Sequence, residues 1–516
     1  MGLTGINPND PIPTTRRELI LGAGPGSGAS PDRTVLLVGN QLGGSATNDD
    51  VTDPVTDELH AIGLVGRRSE LYAMYRKYVS VDPGATIRFG VVTESAGLNA
   101  LAAFTFATNA DADAIVETTI HGEIIQTTIS SGDTPTVVAL AVSNDITAAD
   151  EGRLQVTASP AAGVVTVTAA QNGPRGDLII GATATRGVRM RVITIGSTNA
   201  MTVSKGALTN GTVDDDATAL LVNVAQREYY YQALPFHDVV AWTDTDTQGG
   251  EWMLNITQQA LPINGKEQTV HAGLVGTQTQ AALVGDGENS TRCFLYHAEN
   301  NDWTPAMIAA HCCAVVRSQQ IAHPSANIAG YTSTDNTIFS IPKPFVSTDL
   351  PTDTELRADL NNGVSPISFR ESGTPFLVRH VTSRSSNAGG TDDYKAREGH
   401  ITSAIDFAWG IIEGRWEAQK QPFVANDPVQ GENPKARTTT PLIVKGMINQ
   451  VIDDLTASKP LGLYEGPILA PDKADQMKKT LIVTKIPAGI SVSAELFAVE
   501  HLLKGEFLIR ETGPAY

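Results

Sequence analysis

The sequence predicts an α/β multi-domain protein: an α/β core with an inserted β-sandwich domain, a C-terminal α+β domain and extended N- and C-terminal arms. Three observations lead there. Buried-strand patterns alternate with amphipathic-helix patterns over residues 33–95 and again over 225–440. Between them the chain turns Thr-, Val-, Ala- and Gly-rich, with short strands at close intervals. Each end carries a strand-forming segment of its own. At 516 residues there is room for about two to four domains.

Residues 1–32 read as an arm and linker. RRELILGA is a single strand between NPNDPIP and GPGSGASPD, both of turn-and-linker composition. A lone strand of this kind either frays or adds itself to a neighbour's sheet. Residues 33–97 begin the core. RTVLLVG is a buried strand, and SELYAMYRKYV sets Leu71, Met74, Tyr75 and Tyr78 at helical spacing behind Ser69 as N-cap. TIRFGVV is the next strand, so the strand–helix–strand order implies parallel pairing.

The inserted domain covers 98–224. AIVETTIHGEIIQTTI reads as two strands around His121-Gly122, followed by GRLQVTA, GVVTVTAA, DLIIGATA and VRMRVITI as further strands. The core resumes over 225–425. HDVVAW and PFLVRHVTSR read as strands, and TPAMIAAHCCAVVRSQQ as a helix with Thr304 as cap and Pro305 first. The longest helix lies in 394–420, its stripe formed by Ile401, Ile405, Ala408, Ile412 and Trp416. The C-terminal domain, 426–504, opens with a linker. Its helix PLIVKGMINQVIDDLTASK carries Ile443, Met447 and Val451 on one face, and KTLIVTKIP starts its strands. Residues 505–516 form the second arm.

The formal net charge of −19 argues against nucleic acid as partner and for a basic protein surface. Three cysteines, two of them adjacent, give no disulfide framework and suit a reducing compartment. MGLTGINPNDPIPTTRR lacks the apolar centre of a secretory leader, and Ile6 stands where myristoylation wants a hydroxyl. No apolar run approaches the roughly 18–20 residues of a membrane span. The expectation is a chain made in the cytosol, with no membrane insertion of its own.

Chemical motifs fall short one by one. RTVLLVGNQLGGSATNDD places Gly39 and Gly44 at phosphate-loop spacing, but Ser45 stands where the loop's lysine must be. A dinucleotide loop needs glycine where Gln41 stands. VTESAG has Thr93 in place of the first glycine of a nucleophile elbow. Of Cys293, His297, His311, Cys312, Cys313 and His323, only Cys293-x3-His297 nears zinc spacing. Cys312 shares an apolar helix face with Ile308 and Val315 and reads as core. His237-Asp238 lacks a partner serine, while Asp49-Asp50 and Asp214-Asp215-Asp216 read as solvated loops without calcium-loop spacing. No catalytic residue, metal or cofactor is expected.

Taken in order, the segments resemble the tail sheath proteins of contractile-tailed bacteriophages, in particular the Mu-like branch. The resemblance rests on RRELILGAGPGSGASPDRTVLLVGNQ, GLVGRRSELYAMYRKYV, ISSGDTPTVVALA, GVVTVTAAQNGPRGDLII, RADLNNGVSPISFRESGTPFLVRHVTSRSS and TTTPLIVKGMINQVIDDL. It departs at REYYYQALPFHD, where the family often has an acidic Tyr-Asp strand. The resemblance implies a non-enzymatic subunit stacking as hexameric rings around a tail tube, with baseplate and tail terminator proteins as further partners. It places the protein in the virion tail, assembled in the host cytoplasm. It also implies strand exchange between subunits, through Arg16, Arg17, Glu18, Leu19, Ile20 and Leu21 in one arm. In the other arm Glu506, Phe507, Leu508, Ile509 and Arg510 would exchange, with Gly24, Gly26 and Gly28 as hinge. Lys473, Lys478 and Lys479 form the best basic patch for an acidic tube surface. A phage-derived bacteriocin or secretion sheath keeps the family and changes the machine. A cytosolic hydrolase with an accessory β domain is the reading from another class.

Overall fold

The computed structural model describes residues 34–499, apart from 151–152, 182–185, 195–198, 210–214, 226, 228, 238, 244–247, 260–266, 327, 329–330, 333–338, 345–349, 387–389, 392–396, 420–422, 425–437 and 487–488. In chain order the core opens with β1 (Val35–Asn40), the helices Glu58–Val65 and Glu70–Val79, and β2 (Ile87–Val92). The insertion supplies β3 (Asn99–Ala107), β4 (Ala114–Ile120), β5 (Glu123–Ile129), β6 (Val156–Ala161), β7 (Val164–Asn172), β8 (Arg189–Thr194) and β9 (Thr202–Lys205). The core resumes with β10 (Tyr231–Leu234), β11 (Thr269–Leu274), β12 (Cys293–His297), β13 (Tyr331–Thr332), β14 (Val364–Phe369) and β15 (Pro375–Leu377). Last come the pairs β16 (Phe423–Val424) with β17 (Thr438–Thr439), and β18 (Ile482–Ile486) with β19 (Gly489–Ser493).

The core is one sheet in the order β13-β15-β14-β12-β11-β10-β1-β2. Six neighbouring strands, β14 to β2, pair in parallel, and β15 and β13 close the far edge antiparallel. Helices cover both faces. Val35 and Leu37 pack on one side with the Glu70–Val79 and Pro305–Ala322 helices, while Leu36 and Val38 pack on the other around Trp252. Two-sided burial is why VLLV is an unbroken apolar run. Both helix starts follow their caps: Ser69 Oγ accepts from the Tyr72 N–H, and Thr304 accepts from Met307 with Pro305 at the first position.

The insertion leaves after β2 and returns before β10. Its two antiparallel sheets, β6-β7-β3-β9 and β5-β4-β8, share one apolar core. Two segments differ from the sequence reading. Residues Pro135–Asp150 form a helix, because Val138, Val142 and Ile146 recur at i, i+4, i+8 and are buried together. DLII is the end of the helix Gly173–Ile180 rather than a strand. In the core, likewise, VVAWT is the helix Val239–Thr243.

The helix Gly399–Gln419 joins the core to the C-terminal unit. Ile405, Ala408 and Ile412 pack with Val444, Met447, Ile448, Val451 and Leu455 of the helix Pro441–Thr456. Ile443, expected on that face, is exposed. From the same helix Gly399–Gln419, Asp406 turns back to the core. Arg292 donates to both of its carboxylate oxygens at 2.7 and 2.9 Å, and Tyr230 donates to one of them. Among the described residues no helix is long and apolar enough to cross a membrane.

Candidate functional site: an interdomain joint and an open hairpin

The glycine loop after β1 is occupied by the protein's own backbone. Leu42, Ser45 and Ala46 donate their N–H groups to the carbonyls of Val65, Gly63 and Leu64. A Cβ at Gly44 would overlap the Leu64 carbonyl, and one at Gly66 (φ +79) the Leu42 carbonyl. Glycine is required because two backbone segments touch. Three N–H groups at the loop are spent on this contact.

The remaining motifs disperse in the same way. Thr93 bonds Asp49 at 3.0 Å through its N–H and 2.6 Å through its hydroxyl. His297 is held between Asp359 at 2.7 Å and the Gly276 carbonyl at 2.9 Å. Burial opposes its charge but the Asp359 carboxylate outweighs this, so its pKa rises. Cys293, Cys312 and Cys313 are buried, and burial pushes all three thiols up. His311 sits edge-on to Trp303 and against Phe339. No group of metal-ligating side chains occurs among the described residues. Asp238 and Asp214 lie outside the described residues.

What the structure assembles instead is a joint at the root of the insertion. Arg175, on the helix Gly173–Ile180, reaches across to the core. Its Nη1 donates to Asn40 Oδ1 and Glu70 Oε2, both at 2.7 Å, and its Nε lies 3.1 Å from Asp215 Oδ2. Asn40 ends β1, Glu70 opens the helix behind it, and Asp215 stands on the returning link. The outgoing link is tied in too: Ser95 N–H donates to Asp215 at 2.6 Å, and Glu94 accepts from the Asn172 N–H at 2.8 Å. Burial raises the Glu70 pKa against the pull of Arg175, since two buried carboxylates share one guanidinium. Asp215, expected in a solvated loop, is therefore a buried ion-pair member. Two further pairs fasten the insertion sideways: Arg68 to Asp150 at 2.7 Å, and Arg189 in a two-pronged pair with Asp302. Sequence reading missed these joints because each partner lies tens of residues away, and GPRGD alone carries no periodic signal.

The C-terminal unit is built differently. Its hairpin β18–β19 has a register from Ile482↔Ser493 to Ile486↔Gly489 and pairs with no third strand among the described residues. Ile482 is 60% exposed, and Leu442 and Leu463 are also open to solvent. Lys473 and Lys479 are exposed, and Lys478 pairs with Asp453, so Asp472 and Asp453 interleave this basic patch. The two exchanging segments, Arg16 to Leu21 and Glu506 to Arg510, and the hinge Gly24, Gly26 and Gly28 lie outside the described residues.

The fold and its joints define a mixed α/β multi-domain protein. No protein-family model matches the chain, and no curated protein matches it. Among solved structures it is similar to a sheath tail protein from Listeria innocua, with 10% identity, 92% of this chain and 94% of that one covered, and a TM-score of 0.43. It is also similar to a chain in the 6-fold symmetrised structure of the anti-feeding prophage baseplate, with 12% identity, 98% and 100% covered, and a TM-score of 0.42.

Proposed function

We propose that this chain is the sheath subunit of a contractile tail, of the Mu-like branch of phage sheath proteins. Subunits stack as hexameric rings around a tail tube and shorten to drive the tube through the host envelope. Support comes from the ordered set of sheath-like segments running along nearly the whole sequence. The structural observation that carries the reading is the two-stranded β18–β19 hairpin, displayed on a well-packed helical base. Two strands alone are marginal in water, so such a hairpin suits strands added from neighbouring subunits. Each backbone hydrogen bond of an added strand contributes about 0.5–1.5 kcal/mol net. Linked arms then hold a mesh while whole subunits rotate.

The donors in this reading are residues 15–22 and 505–513. The extended sheath is a kinetic trap above a lower-energy contracted state, so assembly stores the work that contraction releases. Lys473, Lys478 and Lys479 meet an acidic tube surface. Electron micrographs of the purified full chain test the proposal: long cylinders forming with rising concentration support it. A small oligomer of fixed size at every concentration contradicts it and returns the hydrolase reading.

A further inference from the structure

We propose that the tip of the inserted domain is an acid-released latch: the β4–β5 turn undocks from the core when His121 takes a proton, while the root stays clamped. The turn has two residues, His121 and Gly122, both in the left-handed region at φ 51 and 78. It is pressed against the core, where a Cβ on Gly122 would stand 3.3 Å from Pro342 and 4.0 Å from Asp302. Pro342 is fixed in turn, its carbonyl accepting from Asn301 Nδ2 at 2.7 Å. His121 is 5% exposed. The main chain of Leu154 and Asp302 runs beside the ring, yet neither ring nitrogen meets hydrogen-bond geometry with a partner.

The charges around this ring are one-sided. Lys77, from the helix Glu70–Val79, lies 4.0 Å from the centre of the Trp303 ring. Arg186, ahead of β8, donates from Nε to the Asn301 carbonyl at 3.2 Å. Of the nearby carboxylates, Asp302 is gripped by both prongs of Arg189, and Glu123 pairs with Arg153 at 3.1 Å. Behind Lys77, His311 Nε2 accepts from the Ser340 N–H at 3.3 Å and its Nδ1 faces the Lys77 carbonyl at 3.4 Å, so that ring is the neutral Nδ1–H form. An imidazolium at His121 would add a positive charge beside Lys77 and Arg186, with the adjacent carboxylates already engaged. Burial first, and Lys77 second, accordingly lower His121 to about 4. The root responds with the opposite sign. Burial raises Glu70 and Glu94, so protonation there is favoured by folding and does not pry the joint apart.

The test is hydrogen exchange on the full chain from pH 7.5 to 4.5, corrected for intrinsic rates. It compares 117–125 with β3 and β7 of the insertion's other sheet, which carry no histidine. The tip should lose protection about tenfold or more relative to those strands as pH falls below about 6.5. His121→Asn keeps a residue suited to the left-handed turn before glycine and removes the titration, so its tip should stay protected. Lys77→Met removes the facing cation, so it should shrink the loss at pH 4.5 while leaving its onset near pH 6.5. The latch is overturned if the wild-type tip is as protected at pH 4.5 as at 7.5, or opens only together with β3 and β7. Equal loss in His121→Asn, or an undiminished loss in Lys77→Met, overturns it as well.

Discussion

β1 and β18 both open on aliphatic residues and are finished to different degrees. VLLVGN is buried along its whole length, paired on both edges and covered on both faces. IVTKI pairs on one edge only among the described residues and leaves Ile482 in solvent. A strand that is apolar, short and open has either been left as a liability or reserved for a partner. The buried base beneath the hairpin favours the second, because Val451, Leu455, Met477 and Leu481 already pack it firmly.

Large substitutions should expose that difference first. Arg175→Met leaves Glu70 and Asp215 buried around a lost cation. It should cost about 3–5 kcal/mol, read as a drop in the denaturant midpoint with the slope unchanged. Phe89→Ala on β2, at a fully buried site, should cost a similar amount, about 3–5 kcal/mol. Ile482→Lys on β18 should change monomer stability by less than about 0.5 kcal/mol and still weaken assembly, seen as a raised critical concentration by light scattering. Equal destabilisation by Phe89→Ala and Ile482→Lys would erase the contrast.

Acid should act on the finished region. His271, His311 and His380 are buried in the core, and burial holds each well below the ordinary imidazole range, His311 and His380 to about 3. Unfolded, these rings protonate near pH 6.5. The contribution of these three rings is therefore level above about pH 6.5 and falls below it, since the unfolded chain takes up protons that the folded rings refuse, while Glu288, raised by burial to about 8, and His297 act with the opposite sign. Denaturant midpoints at pH 7.5 and 5 check the sign. The smallest effect concerns the basic patch. Glu in place of Lys473, Lys478 and Lys479 should leave folding intact and reduce sheath–tube co-assembly, whereas unchanged co-assembly removes the patch from the account.

Much of the core was legible in the sequence. β1, β2 and the helix Glu70–Val79 announced themselves by two-sided apolar runs and 3.6-residue spacing, and Ser69, Thr304 and Pro305 marked helix starts by local chemistry. The helix Pro135–Asp150 was not read, because its opening Thr-Val-Val is β-branched and favours strands. Only burial of Val138, Val142 and Ile146 against the two sheets decides it. VVAWT misled for the same reason. The joint at Arg175 was invisible because it is a meeting of four segments, and Asp215, within a run of three acids, looks like any loop acid. In the arms the reading rests on composition alone: an apolar run bounded by Gly and Pro.

The account turns on those arms. The decisive measurement is negative-stain microscopy of the chain lacking residues 1–25 beside the full chain at equal concentration. The full chain should form long cylinders, and the shortened one should remain soluble, folded and monomeric. Cylinders of normal length from the shortened chain would contradict strand donation and, with it, the role assigned to the open hairpin.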